Sequence, residues 1–165
     1  MIDTHCHLEQ PDYDKDPAKM PAKLLAKAST IRGAYRSGIF SSLEELPRVD
    51  LIVAGSVAVT EDGVRVGKGG GYSEIEYGIL RELGLIDEET PVFTTVHDVQ
   101  IVDRAPKESH DFVVNAIFTP ERSVVVEKKY SQPRGIIWEK LTEHQLREMP
   151  ILQELRRTLN ERRQE

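Results

Sequence analysis

The sequence predicts an α/β domain built on a largely parallel sheet, and three observations point to it. Short apolar runs bounded by proline or glycine, Asp50–Gly55 and Pro91–Val96 among them, have the pattern of strands buried on both faces. Between these two runs, Ile79, Leu80 and Leu83 follow helical spacing up to a stop at Gly84. Strand and helix alternating along one chain imply parallel strands joined by crossover helices. A chain of 165 residues, 39% hydrophobic and 30% charged, holds one domain with a real core and leaves no room for a second full one.

Each element has its own local reason. Leu24, Leu25, Ala28, Ile31 and Tyr35 give Ala22–Tyr35 a helical face that ends near Gly38. Ser42 with Glu45, ahead of Leu46-Pro47, reads as a capped single turn. Val57–Thr60 continues the Asp50–Gly55 strand or pairs beside it. Ser73 with Glu76 reads as a capping box opening the helix that stops at Gly84. Pro91–Val96, Phe112–Phe118 and Ser123–Val126 are further β-rich runs, and Trp138 is placed to seal the last strand against the sheet. Thr142 with Gln145 is a second capping box. It opens a charged helix marked by Leu146, Met149, Leu152, Leu155 and Leu159, which Pro150 must bend or split. The expected organisation is an atypical N-terminal segment over 1–21, an α/β domain over 22–141 and a helical tail over 142–165.

Charge and composition narrow the partners. A formal net charge of -6 argues against a nucleic-acid surface spread over the protein, while a pocket with Arg65 and Lys68 can still hold a small anion. No apolar run approaches the roughly 20 residues of a membrane span. The opening MIDTHCHLEQ is too polar for a secretory signal, and one cysteine, Cys6, closes no internal disulfide. The expectation is a cytoplasmic protein acting on a small molecule, with neither nucleic acid nor membrane as partner.

The densest chemistry lies in residues 62–77, DGVRVGKGGGYSEIEY. A Walker A loop needs four residues between its glycines and then Lys followed by Ser or Thr; here Gly63 and Gly67 enclose three, and Gly69 follows Lys68. A dinucleotide fingerprint fails as well, because Tyr72 stands where its third glycine belongs. What both loops share survives: glycines that take positive φ can turn successive N–H groups into one concavity, to which a following helix adds its positive end. Arg65 and Lys68 flank such a nest and suit a polyphosphate. The alternative is a flexible turn with both cations solvated, and composition alone leaves the two open. Tyr72 is either packing or a stacking surface.

Other groups carry similar pairs of readings. Glu74 and Glu76 stand two apart on a helix and do not share a face, so Glu74, nearer the helix start, is the better magnesium candidate. His97-Asp98 follows a strand and His110-Asp111 precedes one, and either aspartate can reach a site at the strand ends, where open α/β sheets bind ligands, or simply make a turn beside a surface histidine. His5 and His7 form half of a metal site if both project from one face of a strand, with Cys6 pointing away.

DLIVAGSVAVTEDGVRVGKGGGY, RAPKESHDFVVNAIFT and PRGIIWEKL together resemble the 5-formyltetrahydrofolate cyclo-ligase (methenyltetrahydrofolate synthetase) family, in particular its divergent archaeal-type branch. Motif order and spacing match from about Leu24 to Leu141. The resemblance implies a three-layer, Rossmann-like α/β sandwich and an ATP- and magnesium-dependent ligase of one-carbon folate metabolism. In that family the formyl oxygen attacks the γ-phosphate, the neighbouring folate nitrogen captures the activated carbon, and 5,10-methenyltetrahydrofolate, ADP and phosphate result. Carried over, Arg65, Gly67, Lys68, Gly69, Gly70 and Gly71 would cradle ATP, with Tyr72 lining the pocket and Arg65, Lys68 and Tyr72 at the reaction centre. Glu74 and Asp111 would hold magnesium. Phosphoryl transfer asks for this: fixed donors and a metal matched to spread negative charge, with little covalent work for the protein.

The chain also departs from the family pattern. Gly71-Tyr72-Ser73-Glu74-Ile75 stands where Gly-Tyr-Tyr-Asp-Arg is usual, and Asn115 where a second aspartate is common. The family's usual N-terminal basic helix and strand are not found ahead of Leu24. MIDTHCHLE instead resembles the opening strand of TatD-type metal-dependent hydrolases, with His5 and His7 in the place of the first metal pair. Two alternatives therefore stand beside the cyclo-ligase: a nucleotide-binding paralogue that has lost catalysis, and a metal-dependent hydrolase acting through His5 and His7.

Overall fold

The computed structural model describes residues 42–162 together with Ala26, Lys27, Thr30, Arg32, Gly33 and Arg36. The chain divides into two compact units, Met1–Leu46 and Pro47–Glu165. In the first, Ala26, Lys27, Arg32, Gly33 and Arg36 are helical, as the 22–35 periodicity expects, while Leu24, Leu25, Ala28, Ile31 and Tyr35 lie outside the described residues. Ser42 closes the expected turn: its backbone N–H and its hydroxyl both donate to Glu45 Oε2 at 3.0 Å.

The second unit is α/β. Strands β1 (Ile52–Val53), β4 (Val92–Thr95), β5 (Ala116–Phe118) and β6 (Ser123–Val125) form one sheet in the order β1-β4-β5-β6. β1 and β5 both run parallel to β4, and only β6 is antiparallel. The sheet is mostly parallel, as expected. β6 returns alongside β5 because the intervening turn is too short for a crossover: Thr119 N–H donates to Arg122 O at 2.8 Å, and the Thr119 hydroxyl accepts from the N–H groups of Glu121 and Arg122. Asn115 starts the β4/β5 pairing from both sides, donating its N–H to Val92 O at 2.6 Å and accepting Val92 N–H on Oδ1 at 2.7 Å.

Val57–Thr60 neither extends β1 nor joins the main sheet. β2 (Ala58–Val59) pairs antiparallel with β3 (Arg65–Val66) in a separate two-stranded hairpin. Its turn is stapled by Thr60, which bonds Val64 through both backbone and hydroxyl. Asp62 in that turn receives Lys129 Nζ at 2.9 Å and Tyr130 OH at 3.1 Å, anchoring the hairpin to the chain beyond β6.

Three α-helices follow among the described residues: α1 (Tyr72–Glu82), α2 (Glu143–Glu148) and α3 (Ile151–Arg162). α1 is the crossover between β1 and β4. The Thr142/Gln145 capping box is formed, and the expected C-terminal helix is split into α2 and α3 around Met149-Pro150. Residues 133–137 are not a strand. Trp138 lies in a 3₁₀ turn over Trp138–Lys140, with Arg156 5.9 Å above its ring, so it does not seal a last strand.

Alternation along the strands explains the core. Ile52, Ala54, Val92, Thr94 and Ile117 are buried, and all but Thr94 join Val59, Tyr77, Ile86, Phe112 and Val114 in one apolar cluster. On the other pleat Ala116 is buried too, but Val53 and Phe93 are half-buried, Thr95 and Phe118 exposed, and on the edge strand Val125 is 86% exposed. Tyr77 and Phe112 stack with centroids 4.9 Å apart, and burial pushes the Tyr77 phenol up to about 12.

Two outcomes test this packing. Ile117→Ala removes a fully buried side chain and should lower stability by about 2–5 kcal/mol in urea unfolding, against under about 0.5 kcal/mol for Val125→Thr. Hydrogen bonds from Lys129 and Thr60 pull the Asp62 carboxyl down from 3.8 to about 2. A carboxylate depressed in the folded state stabilises fully above its unfolded value of 3.8 and stops stabilising as the pH falls through about 2. The gap in urea midpoint between wild type and Asp62→Asn should therefore be widest near neutrality and close between those two values.

Candidate functional site

The glycine loop leaves β3 at Val66 and ends where α1 begins. Gly69 and Gly71 have φ of 88° and 69°, left-handed values that a side chain resists, so glycine is required at both. Gly71 is the residue that caps α1, and no side chain among the described residues caps the helix. This corrects the Ser73–Glu76 box: the left-handed turn at Gly71 starts the helix at Tyr72, two residues ahead of the start that a Ser73 cap sets, and carries Ser73 inside the first turn, where it makes no capping bond. Ile75 N–H reaches Gly71 O at 3.1 Å, but the N–H groups of Tyr72, Ser73 and Glu74 find no partner among the described residues. Three amides at the positive end of an 11-residue helix are left for an outside acceptor.

The two cations beside this loop behave differently. Lys68 is exposed and takes no hydrogen bond or ion pair among the described residues. Arg65 points inward from β3 with only 1% of its side chain exposed. One of its terminal nitrogens donates to Gly55 O at 2.7 Å, just beyond the carboxyl end of β1, and the other pairs with Glu74 on α1. Its guanidinium lies 4.3 Å from the Phe112 ring centroid. A methyl group on Gly67 would sit 3.3 Å from the same guanidinium, so the loop begins in contact with it. Arg65 thus ties β1, α1, the loop and the segment ahead of β5 to one planar group. Glu74 gives Oε1 to that pair. Tyr72 is 37% exposed, its ring so close that a methyl on Gly70 would lie 2.7 Å from it.

Asp111 is the chain neighbour of Phe112. Its Oδ2 accepts Glu108 N–H at 2.7 Å, and Oδ1 lies 3.5 Å from His110 Nε2. Lys140 holds this segment from outside, 2.6 Å from Glu108 Oε2 and 3.3 Å from His110 Nδ1. The other pair, His97-Asp98, does turn work: His97 caps a 3₁₀ turn over Asp98–Gln100, and Asp98 meets Arg122 at 3.3 Å. Among the described residues no three His, Cys, Asp or Glu side chains gather as a metal cage. His5, Cys6 and His7 lie outside the described residues.

One contact was not foreseen. Gln145, assigned only to a helix cap, sends Nε2 to Gly70 O at 3.0 Å. The Pro133–Leu141 stretch leads to it along α1, where Ile136 packs over the bare Cα of Gly78 and donates its N–H to Glu82 Oε1 at 3.2 Å.

The sequence profile of the 5-formyltetrahydrofolate cyclo-ligase family matches residues 13–120. The chain belongs to that family. The matched stretch opens ahead of Leu24 and takes in the glycine loop, Asp111 and all six strands but β6. Among curated relatives, the chain is 41% identical over 135 residues to the human methenyltetrahydrofolate synthase domain-containing protein, covering 81% of this chain and 35% of that one. It is 39% identical over 142 residues to the protein of the same name from Danio rerio, covering 85% and 37%. A 5-formyltetrahydrofolate cyclo-ligase from Mycolicibacterium smegmatis is 29% identical over 82 residues, covering 50% and 39%. The chain spans about a third of the length of the first two relatives. The mostly parallel α/β sheet accords with the Rossmann-type fold expected of a cyclo-ligase.

Removing one half of the buried pair at the site has a measurable cost. Arg65→Met leaves the Glu74 carboxylate, 14% exposed, without its partner and should destabilise the fold by about 3 kcal/mol in urea unfolding. Arg65→Met/Glu74→Gln should recover part of that loss, because no buried charge is then left unpaired.

Proposed function

We propose that the chain is an ATP-dependent 5-formyltetrahydrofolate cyclo-ligase, seating the triphosphate on the glycine loop and closing the ring of a formylated folate. The observation that carries this is the first turn of α1, continuous with the Gly67–Gly71 loop and, among the described residues, without a side-chain cap and flanked by an unpaired Lys68, in a member of this family. Backbone N–H groups and one mobile ammonium suit phosphate oxygens, which accept from many directions. In this role Gly67, Gly69, Gly70 and Gly71 supply approach without side chains, Lys68 contacts the outer phosphates, and Tyr72 walls the substrate side. Arg65 holds Glu74 and the start of the loop in register from beneath, its Nε buried without a partner among the described residues.

The residues also fit magnesium. That ion is usually held by one or two carboxylates together with phosphates and water, so a three-residue cage is not needed. Glu74, through the oxygen that Arg65 does not use, and Asp111, through Oδ1, are the proposed ligands. When bound, the ion neutralises charge on the phosphates. No helix among the described residues is long and apolar enough to cross a membrane, and the proposed site of action is the cytoplasm.

Calorimetric titration with MgATP tests the reading. Wild type should bind, and Lys68→Ala should bind about tenfold more weakly with an unchanged thermal midpoint, the loss of one charge-assisted contact of about 1.4 kcal/mol. With 5-formyltetrahydrofolate present, near-ultraviolet absorbance should report the methenyl product. Binding without product would identify a nucleotide-binding paralogue that has lost catalysis, which the Ser73 and Ile75 departures favour; no binding at all would end both readings.

A further inference from the structure

Lys68, Gly69 and Gly70 of the glycine loop are exposed, yet among the described residues its backbone has one side-chain tether, and that tether comes from the C-terminal helical stretch. Gln145 uses both ends of its amide at once. Oε1 accepts the N–H of Thr142 at 3.0 Å and lies 3.1 Å from the Thr142 hydroxyl, while Nε2 donates to Gly70 O at 3.0 Å. A methyl group on Gly71 would fall 3.0 Å from the same Nε2, so the side chain lies against two consecutive residues of the loop. The capping box fixes where the Gln145 amide sits, and the amide in turn fixes which way the Gly70 carbonyl faces. Because a peptide unit is planar, turning the Gly70 carbonyl toward Gln145 turns the N–H of Gly71 the opposite way.

The position does not depend on α2 alone. Lys140, two residues before Thr142, is bound to Glu108 and lies beside His110, so the strap from Trp138 to Gln145 is pinned at the Glu108–Asp111 segment and again at Gly70. Those are the two segments that carry the proposed phosphate and metal groups. Glycine-rich backbone has many accessible conformations, and a nest binds an anion only in the few where its N–H groups converge. A loop held in such a conformation avoids the ordering cost at binding.

We propose that Gln145 is a positioning residue for the glycine loop, acting through the Gly70 carbonyl to keep the Gly67–Gly71 amides in their binding orientation. Its effect on ligand affinity rests on the nucleotide reading above; its effect on loop order does not.

Gln145→Glu separates tether from cap. A carboxylate still accepts from Thr142 and keeps the capping box, but it has no N–H for Gly70 and sets an anion against that carbonyl. In the full chain, its thermal midpoint should stay within about 2 °C of wild type, since a preserved cap changes little stability. ¹⁵N relaxation of the loop glycines needs no ligand. Order parameters at Gly69, Gly70 and Gly71 should fall from about 0.85 toward 0.6 or below in Gln145→Glu. MgATP affinity should fall about tenfold, as for loss of one net contact and its preorganisation. Gln145→Met, which removes both ends of the amide, should match Gln145→Glu in loop order while also lowering the midpoint. Unchanged glycine order parameters in Gln145→Glu overturn the proposal, and so does lowered order with MgATP bound as tightly as by wild type. Lowered order in a protein whose wild type takes no MgATP supports the tether and ends the nucleotide reading instead.

Discussion

The buried contact between Arg65 and Glu74 is what the rest of the site depends on. An arginine with 1% of its side chain exposed has given up nearly all its water, and only good geometry on every side makes that tolerable. Here the fork is met by a carbonyl at the end of β1, a carboxylate at the start of α1 and the face of Phe112. Those three groups come from three separate stretches of chain. Lysine has one point charge and no planar face, so it could not hold all three. The pair also decides the division of labour between the two cations: Arg65, bonded through both terminal nitrogens, builds the wall, and Lys68, with no partner among the described residues, is left to meet a ligand.

The hairpin β2–β3 exists to deliver that arginine. Residues 54–71 could in principle have run straight from β1 into the crossover helix, but the chain instead makes a turn at Thr60–Val64 and comes back. The return strand places Arg65 beside the residue two beyond β1's end and then releases the glycine loop toward α1. The anchor of the turn at Lys129 and Tyr130 fixes the hairpin from its far side.

Much of this was legible in the sequence, and the exceptions have physical causes. The main-sheet strands, the crossover helix, the split at Pro150 and the Thr142/Gln145 cap all follow from local periodicity and capping chemistry, which a window of a few residues contains. The hairpin was missed because Val57–Thr60 has the same apolar character whether it extends a strand or pairs beside it; the choice is made by Arg65, whose partners are distant in sequence. The false capping box at Ser73 has a similar origin. The spacing was right, but a glycine free to adopt a left-handed φ started the helix two residues sooner. Gln145 was recognised for the bond it makes three residues away and not for the one it makes 75 residues away, since nothing local records a second use of the same amide.

The outer strand β6 bears on how the molecule keeps to itself. Three residues long, it leaves a free flank of backbone with the exposed Val125 on it, the kind of border on which a foreign strand could assemble. Past Val126 the chain enters Glu127, Lys128 and Lys129, and the two lysines are paired, Lys128 to Glu88 and Glu89 and Lys129 to Asp62. An incoming strand could align with only a few peptide groups before meeting ammonium groups already committed elsewhere. Brevity and charge together make that border a poor template, so the sheet ends there by design of its neighbours rather than by closure.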